Sequence, residues 1–205
     1  YIAVYYLTIA IGMRGGGDVE GAPFLLWLAS GIFAWFFMSD MINTGSDIFH
    51  RYGHLVNKLK FPISVIPTFY ALSKMIVCVG TFVFMVIISM ICGIHPSRYW
   101  LQLPLVLIIM LVFWIAWSIM LSPLSAISKD FAKLIQTLSM PFFWLSGVLF
   151  DIRNFDACPP LAFISKFNPV AWFCEATRSC FVYKEWFWTN TGEFLPFLLV
   201  FALVV

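Results

Sequence analysis

Residues 100–127 read WLQLPLVLIIMLVFWIAWSIMLSPLSAI. The run contains no Asp, Glu, Lys or Arg. It exceeds the roughly 20 apolar residues that span the hydrocarbon core of a bilayer. Its apolar side chains are continuous rather than alternating, so it reads as a membrane helix and not as a strand of a membrane barrel. The whole composition agrees. Of 205 residues, 62% are hydrophobic and only 11% charged, with a mean hydropathy of +0.94. A soluble domain has about half its residues apolar and about a quarter charged. So few charges cannot cover a water-facing surface around this much apolar mass. A soluble enzyme, a disordered chain and a secreted disulfide module are excluded. The formal net charge of +2, with its basic residues scattered, argues against a nucleic-acid binder.

Working outward from residues 100–127, further apolar runs lie at 24–42, 63–94 and 134–150, the last interrupted at Pro141. Partial spans lie at 1–12 and 194–205. The expected architecture is an all-α polytopic membrane protein in a single transmembrane domain, 1–205. Both ends fall inside apolar segments, and the chain reads as a six-span parent truncated at both ends. The twelve Lys and Arg divide evenly between the two sides of this topology. Arg51, Lys58, Lys60, Lys74, Lys129 and Lys133 lie on one side. Arg14, Arg98, Arg153, Lys166, Arg178 and Lys184 lie on the other. Most of the first set, though not Lys74, crowds into the short loops 43–62 and 128–133, which the positive-inside rule places in the cytoplasm. Both termini of the parent would then be cytoplasmic too.

Segment 151–192 is too polar for a span and too apolar for an exposed loop. Pro159-Pro160 and Asn168-Pro169 break it. Asn168 is suited to cap a short helix, with Pro169 at its first position. Two short helices re-entering the outer leaflet fit this pattern, as does an interfacial cap anchored by Trp residues. Glu175 and Arg178 are spaced i, i+3 on the second helix and can pair. The pair either stabilises the helix or meets a phosphate or acidic sugar at the outer boundary. Of the five cysteines, Cys78 and Cys92 read as packing residues, and a disulfide among Cys158, Cys174 and Cys180 stays open.

The chain carries little chemistry of its own. Gly16 and Gly21 have phosphate-loop spacing, but Ala22-Pro23 follows where Lys-Ser/Thr is required. His50 and His54 share a helical face, yet Arg51 stands where a zinc peptidase needs Glu, and no third ligand is near. No metal and no cofactor is expected in this chain. Asp40 and Lys74 are the ionisable residues inside the runs from 24 to 150, fewer than a proton- or sodium-coupled transporter needs.

Three stretches carry a family resemblance. The first is Leu55-Val56-Asn57-Lys58-Leu59-Lys60-Phe61-Pro62 followed by Val65-Ile66-Pro67. The second is Ser128-Lys129-Asp130-Phe131, with Lys129 in place of the usual Arg. The third is Ser146-Gly147-Val148-Leu149-Phe150 with Phe167-Asn168-Pro169-Val170 and Glu175-Ala176-Thr177-Arg178. Together they resemble the membrane subunit of type-2 ABC exporters, nearest to the branch that exports O-antigen, capsule and teichoic acid chains. The resemblance implies a six-span half that pairs with a second copy of itself in the cytoplasmic (inner) membrane of a bacterium or archaeon. It implies a separate cytoplasmic ABC ATPase that binds ATP and Mg, so that this chain is a transport subunit and not an enzyme. It makes loop 43–62 the coupling helix, with His50, Arg51, Leu55, Lys58, Lys60, Phe61 and Pro62 at the ATPase, joined by Lys129 and Asp130. The cargo implied is a lipid-linked polysaccharide or teichoic-acid-like polymer. Aromatic rings can stack on sugar faces, which makes Trp35, Phe36, Trp114, Trp117, Phe142, Phe143 and Trp144 candidates for the translocation path. The other readings are an exporter of a drug, lipid or small peptide, a membrane-embedded transferase, or a secondary transporter.

Overall fold

The computed structural model describes residues 23–52, 65–91, 93–94, 96–149, 159–189 and 191–205. Every regular element among them is helical.

Helix α1 (Phe24–Asp40) is apolar on all sides, and a helix of that kind belongs inside a bundle. Most of its side chains are fully buried, and it packs chiefly against α7 and α3, defined below. It starts directly after Pro23, whose carbonyl accepts from Leu26 N–H at 2.9 Å. At its far end the backbone widens into a π-turn, Met41–Gly45, instead of stopping. Asn43 Nδ2 donates to the Ser39 carbonyl there, at 2.8 Å. The continuous run Phe24–Gly45 is 22 residues long. Helix α2 (Ile48–Arg51) is a single turn lying against α4 and α3.

Helix α3 (Val65–Ile91) buries one narrow stripe, Pro67, Ala71, Met75, Cys78, Phe82, Met85 and Ser89. Steps of three and four residues keep these on one face. Large apolar residues such as Ile76, Val83, Ile87 and Ile91 are exposed on the remainder, as expected of a helix facing lipid. A 3₁₀ turn, Arg98–Gln102, leads into α4 (Leu103–Ile127). The runs Phe24–Gly45, Val65–Ile91 and Arg98–Ile127 are each long and apolar enough to cross a membrane.

The polar turn expected at 128–133 is reduced to one residue. Ser128 alone is extended (φ −134°, ψ 117°), and α5 (Lys129–Leu145) starts at once. Asp130 in its first turn suits the positive end of the helix dipole. The fifth apolar run was expected at 134–150 with an interruption at Pro141. The helix passes through Pro141 and ends at Leu145, because Gly147 adopts φ +65° in the turn that follows. Two short helices come next, α6 (Pro159–Lys166) and α7 (Pro169–Arg178). A second π-turn, Ser179–Tyr183, extends α7 and stops where Lys184 turns left-handed (φ 54°). Helix α8 (Thr191–Val204) closes the described chain.

Phe113 of α4 sits in an aromatic seam. Its ring centroid lies 5.7 Å from that of Phe173 in α7 and 6.1 Å from that of Phe197 in α8. Trp172 and Phe197 stack face to face at 3.7 Å. This seam fixes α7 against α4 and α8 while α1 covers its other side.

Candidate functional site: a polar elbow and a buried arginine

Two polar constellations stand at opposite ends of α1. A run of helix from residue 27 to residue 45 measures about 27 Å, close to the thickness of a bilayer core. The first constellation is the elbow, residues 41–52. Its π-turn lies close against α4: a Cβ on Gly45 would overlap Ser118 Oγ. The Asn43 carbonyl accepts from Gln136 Nε2 of α5 at 3.3 Å, and Ser46 Oγ donates to the Ile42 carbonyl. Asp47 then organises the single turn of α2. His50 Nδ1 is 2.9 Å from Asp47 Oδ1, and Arg51 Nε is 3.9 Å from Oδ2. Exposed pairs of this type contribute little stability, so their effect is to orient a polar surface. Deeper along the same end, Lys74 Nζ is 3.0 Å from Asp40 Oδ2 and 5.5 Å from the Tyr70 ring.

Of the residues expected to couple, His50 and Arg51 are exposed on this elbow. Lys129 and Asp130 are exposed at the head of α5, two helical turns before Gln136, which bonds the elbow. The fold therefore brings residues 41–52 and the head of α5 to the same end of the bundle. Leu55, Lys58, Lys60, Phe61 and Pro62 lie outside the described residues. Among the described residues no group of three or more His, Cys, Asp or Glu could hold a metal ion.

The second constellation centres on Arg178, which has no exposed surface. Asn168 caps α7 as expected, its Oδ1 accepting from Val170 N–H at 3.0 Å, with Pro169 at the first helical position. One consequence of that helix is the i, i+3 pair: Arg178 Nη1 donates to Glu175 Oε1 at 3.0 Å. The pair does not face outward to a ligand. Arg178 Nη2 donates to the Val148 carbonyl at 2.9 Å and Nε to the Trp27 carbonyl at 3.4 Å. The guanidinium lies over the Trp27 ring, 3.6 Å from its centroid, a cation–π geometry. Trp27 Nε1 in turn donates to Tyr183 Oη at 3.0 Å. Thr177 Oγ1 donates to the Ser30 carbonyl at 3.3 Å. The sequence reading missed Trp27, Ser30 and Tyr183. The adjacent small residues Ser30-Gly31 were the available signal, since small residues let helices approach closely.

Gln102 forms a second tie that the sequence left unmarked. Its Nε2 donates to the Glu185 carbonyl at 2.7 Å, and its Oε1 accepts from Phe187 N–H at 3.0 Å. Cys174 and Cys180 are free buried thiols. Cys158 lies outside the described residues.

The aromatic path candidates fall into two groups. Trp35 meets Phe143 at 5.1 Å, and Phe143 meets Trp144 at 5.9 Å. Trp114 meets Trp117 at 5.6 Å. Phe36 and Trp144 are exposed, Trp35, Trp117 and Phe142 are half-buried, and Trp114 and Phe143 are buried within the chain. Between α3 and α4 opens a groove of about 370 Å³. Its lining, which includes Phe82, Val86, Leu103 and Leu107, is wholly apolar and offers no polar group to orient a polar ligand.

A family model described as ABC-2 type transporter matches residues 2–182. The chain is similar to the O-antigen export system permease protein RfbA of Myxococcus xanthus, 21% identical over 181 residues, covering 88% of this chain and 68% of that protein. It is also similar to the O-antigen export system permease protein RfbA of Klebsiella pneumoniae, 23% identical over 184 residues, covering 89% and 68% respectively.

Proposed function

The chain belongs to the ABC-2 type transporter family, and from that membership we propose that it is the membrane permease subunit of an ATP-driven exporter of a lipid-linked polysaccharide. What carries the cargo assignment is the likeness to two permeases named for O-antigen export, each aligned over nearly nine-tenths of this chain. A teichoic-acid-like polymer belongs to the same class of cargo. ATP and Mg bind to a separate cytoplasmic ABC ATPase, and this chain supplies the path.

In this reading the permease sits in the cytoplasmic membrane as a six-span half, paired with a second copy. The elbow and the following residues, with Lys58 and Lys60, seat in the ATPase, and Lys129 and Asp130 flank them. A stimulus shifts a protein between states only if it contacts them differently. What supports the elbow in this role is that it is polar at its exposed edge, while its π-turn lies close against Ser118 of α4 and accepts a hydrogen bond from Gln136 of α5. Exposed Phe36 and Trp144 are the rings of the path set open to stack on passing sugars.

The test uses the full-length permease purified with its ATPase. ATP hydrolysis is compared with and without an undecaprenyl-linked polymer, for the unaltered protein and for Lys58→Glu/Lys60→Glu. We expect polymer to stimulate hydrolysis, and the double variant to lose the stimulation. A stable complex indifferent to polymer would shift the cargo to a drug, lipid or small peptide. A permease that binds no ATPase would sink the export reading and return a transferase or secondary transporter to the front.

A further inference from the structure

We propose that Arg178 ties α7 to α1 so that the two move as one body, and that α1 thereby carries displacement of the elbow to the short helices at the opposite end of the bundle. The transmission half of this inference rests on the export reading above.

Three observations carry it. Arg178 is fully buried and distributes its contacts over three separate parts of the chain. It donates to Glu175 in its own helix, to the Val148 carbonyl in the turn after α5, and to the Trp27 carbonyl in α1 while stacking on the Trp27 ring. A buried ion pair costs desolvation that a well-packed apolar pair would avoid, so it is weak as a source of stability and specific as a fixer of register. The second observation is that the seam around it is made for close approach. A Cβ on Gly31 would lie 2.8 Å from Arg178 Nη2, and Thr177 bonds the Ser30 carbonyl one residue away. The third is that α1 itself has no break between the tie and the elbow. From Ile32 to Asp40 it holds neither Gly nor Pro, two of the causes of helix kinks, and the π-turn Met41–Gly45 belongs to the elbow. Helices α4 and α5, by contrast, carry Pro123 and Pro141 inside them. A helix that cannot fold at its middle transmits an elbow movement instead of absorbing it.

Cys174 reports on this seam. It is fully buried, and its Sγ lies 3.8 Å from the Gly31 carbonyl. In the full-length permease–ATPase complex in liposomes, Cys78, Cys92, Cys158 and Cys180 are replaced by Ser, and alkylation of Cys174 by N-ethylmaleimide is timed without nucleotide and during ATP turnover. We expect equally slow labelling in both states, at least about tenfold slower than at an exposed Lys184→Cys control. In Arg178→Ala we expect labelling to accelerate during turnover and ATP hydrolysis to continue without export, with Arg178→Lys intermediate because an ammonium cannot reproduce the planar fork and the stacking. Faster labelling of Cys174 during turnover with Arg178 intact would overturn the proposal, because α1 and α7 would then part in each cycle. If Arg178→Ala does not assemble, a disulfide between Ser30→Cys and Thr177→Cys serves instead. Export should survive the crosslink, and a crosslinked permease that hydrolyses ATP but exports nothing would also overturn the proposal. Failure of the export reading looks different: the unaltered permease would recruit no ATPase at all, while Arg178→Ala would still expose Cys174 if the tie itself is right.

Discussion

Removing the Arg178 side chain would take the cation away from a carboxylate that the bundle buries. Breaking a buried pair from one side typically costs about 3–5 kcal/mol, much of it the penalty of the charge left behind. We expect Arg178→Ala to be lost at lower temperature than Glu175→Gln, because Arg178 also serves the Val148 and Trp27 carbonyls. The double variant Arg178→Met/Glu175→Gln should recover part of the loss in a double-mutant cycle of thermal unfolding in detergent. Additive losses would mean that the pair does not act as a unit. Gly31→Ala tests the same cradle from the other side. Its methyl would press on Nη2 and should cost about 1–3 kcal/mol as overpacking. The local part of this site was legible. Spacing i, i+3 within one helix gave the Glu175–Arg178 pair, and Asn168-Pro169 gave the cap. Trp27 was not legible, because it lies 151 residues from Arg178 in sequence and no local rule reaches that far.

At the scale of elements, the elbow depends on how closely a π-turn can lie against α4. Gly45 is there because any Cβ would overlap Ser118 Oγ. We therefore expect Gly45→Ala to destabilise the permease by about 1–3 kcal/mol and to weaken polymer-stimulated ATP hydrolysis. Ser118→Ala, which removes the overlapping oxygen, should restore both in the double variant. Absence of rescue would place the defect in the turn's backbone and not in the contact. The short helix α7 depends on its cap: Asn168→Ala should cost about 1 kcal/mol, read as an earlier thermal transition with the Arg178 contacts intact. Apolar run length and breakers located most of these elements, including α4 and the start of α7, and left the buried stripe of α3 unread. They failed at α5. A reversal of the chain needed only one extended residue, Ser128, and polarity at Lys129, Asp130 and Lys133 was mistaken for loop when it was the solvated first turns of a helix. They failed again at Pro141, an exposed position at which α5 continues without a break.

For the whole molecule, composition told that the bundle belongs in a bilayer, and it could not tell which helix the others surround. Apolar side chains serve equally well against lipid and against protein, so α1 and α3 both read as membrane spans while one is central and the other peripheral. Orientation is the property of the whole that the charges address. The described cations separate by end: Arg51, Lys74, Lys129 and Lys133 on the elbow side, and Arg98, Lys166, Arg178 and Lys184 on the other. The density of basic residues at the elbow end predicts that it is cytoplasmic. Single cysteines at Lys129 and Lys184, in a background without the native thiols, would be exposed to a membrane-impermeant maleimide applied to intact cells. We expect Lys184→Cys to label from outside and Lys129→Cys only after the membrane is opened. The reverse pattern would turn the elbow away from any cytoplasmic ATPase. It would leave the Arg178 tie intact as a packing device and remove the elbow as its source of motion. A single topology experiment thus separates the part of the mechanism that the fold dictates from the part that its placement in the membrane must supply.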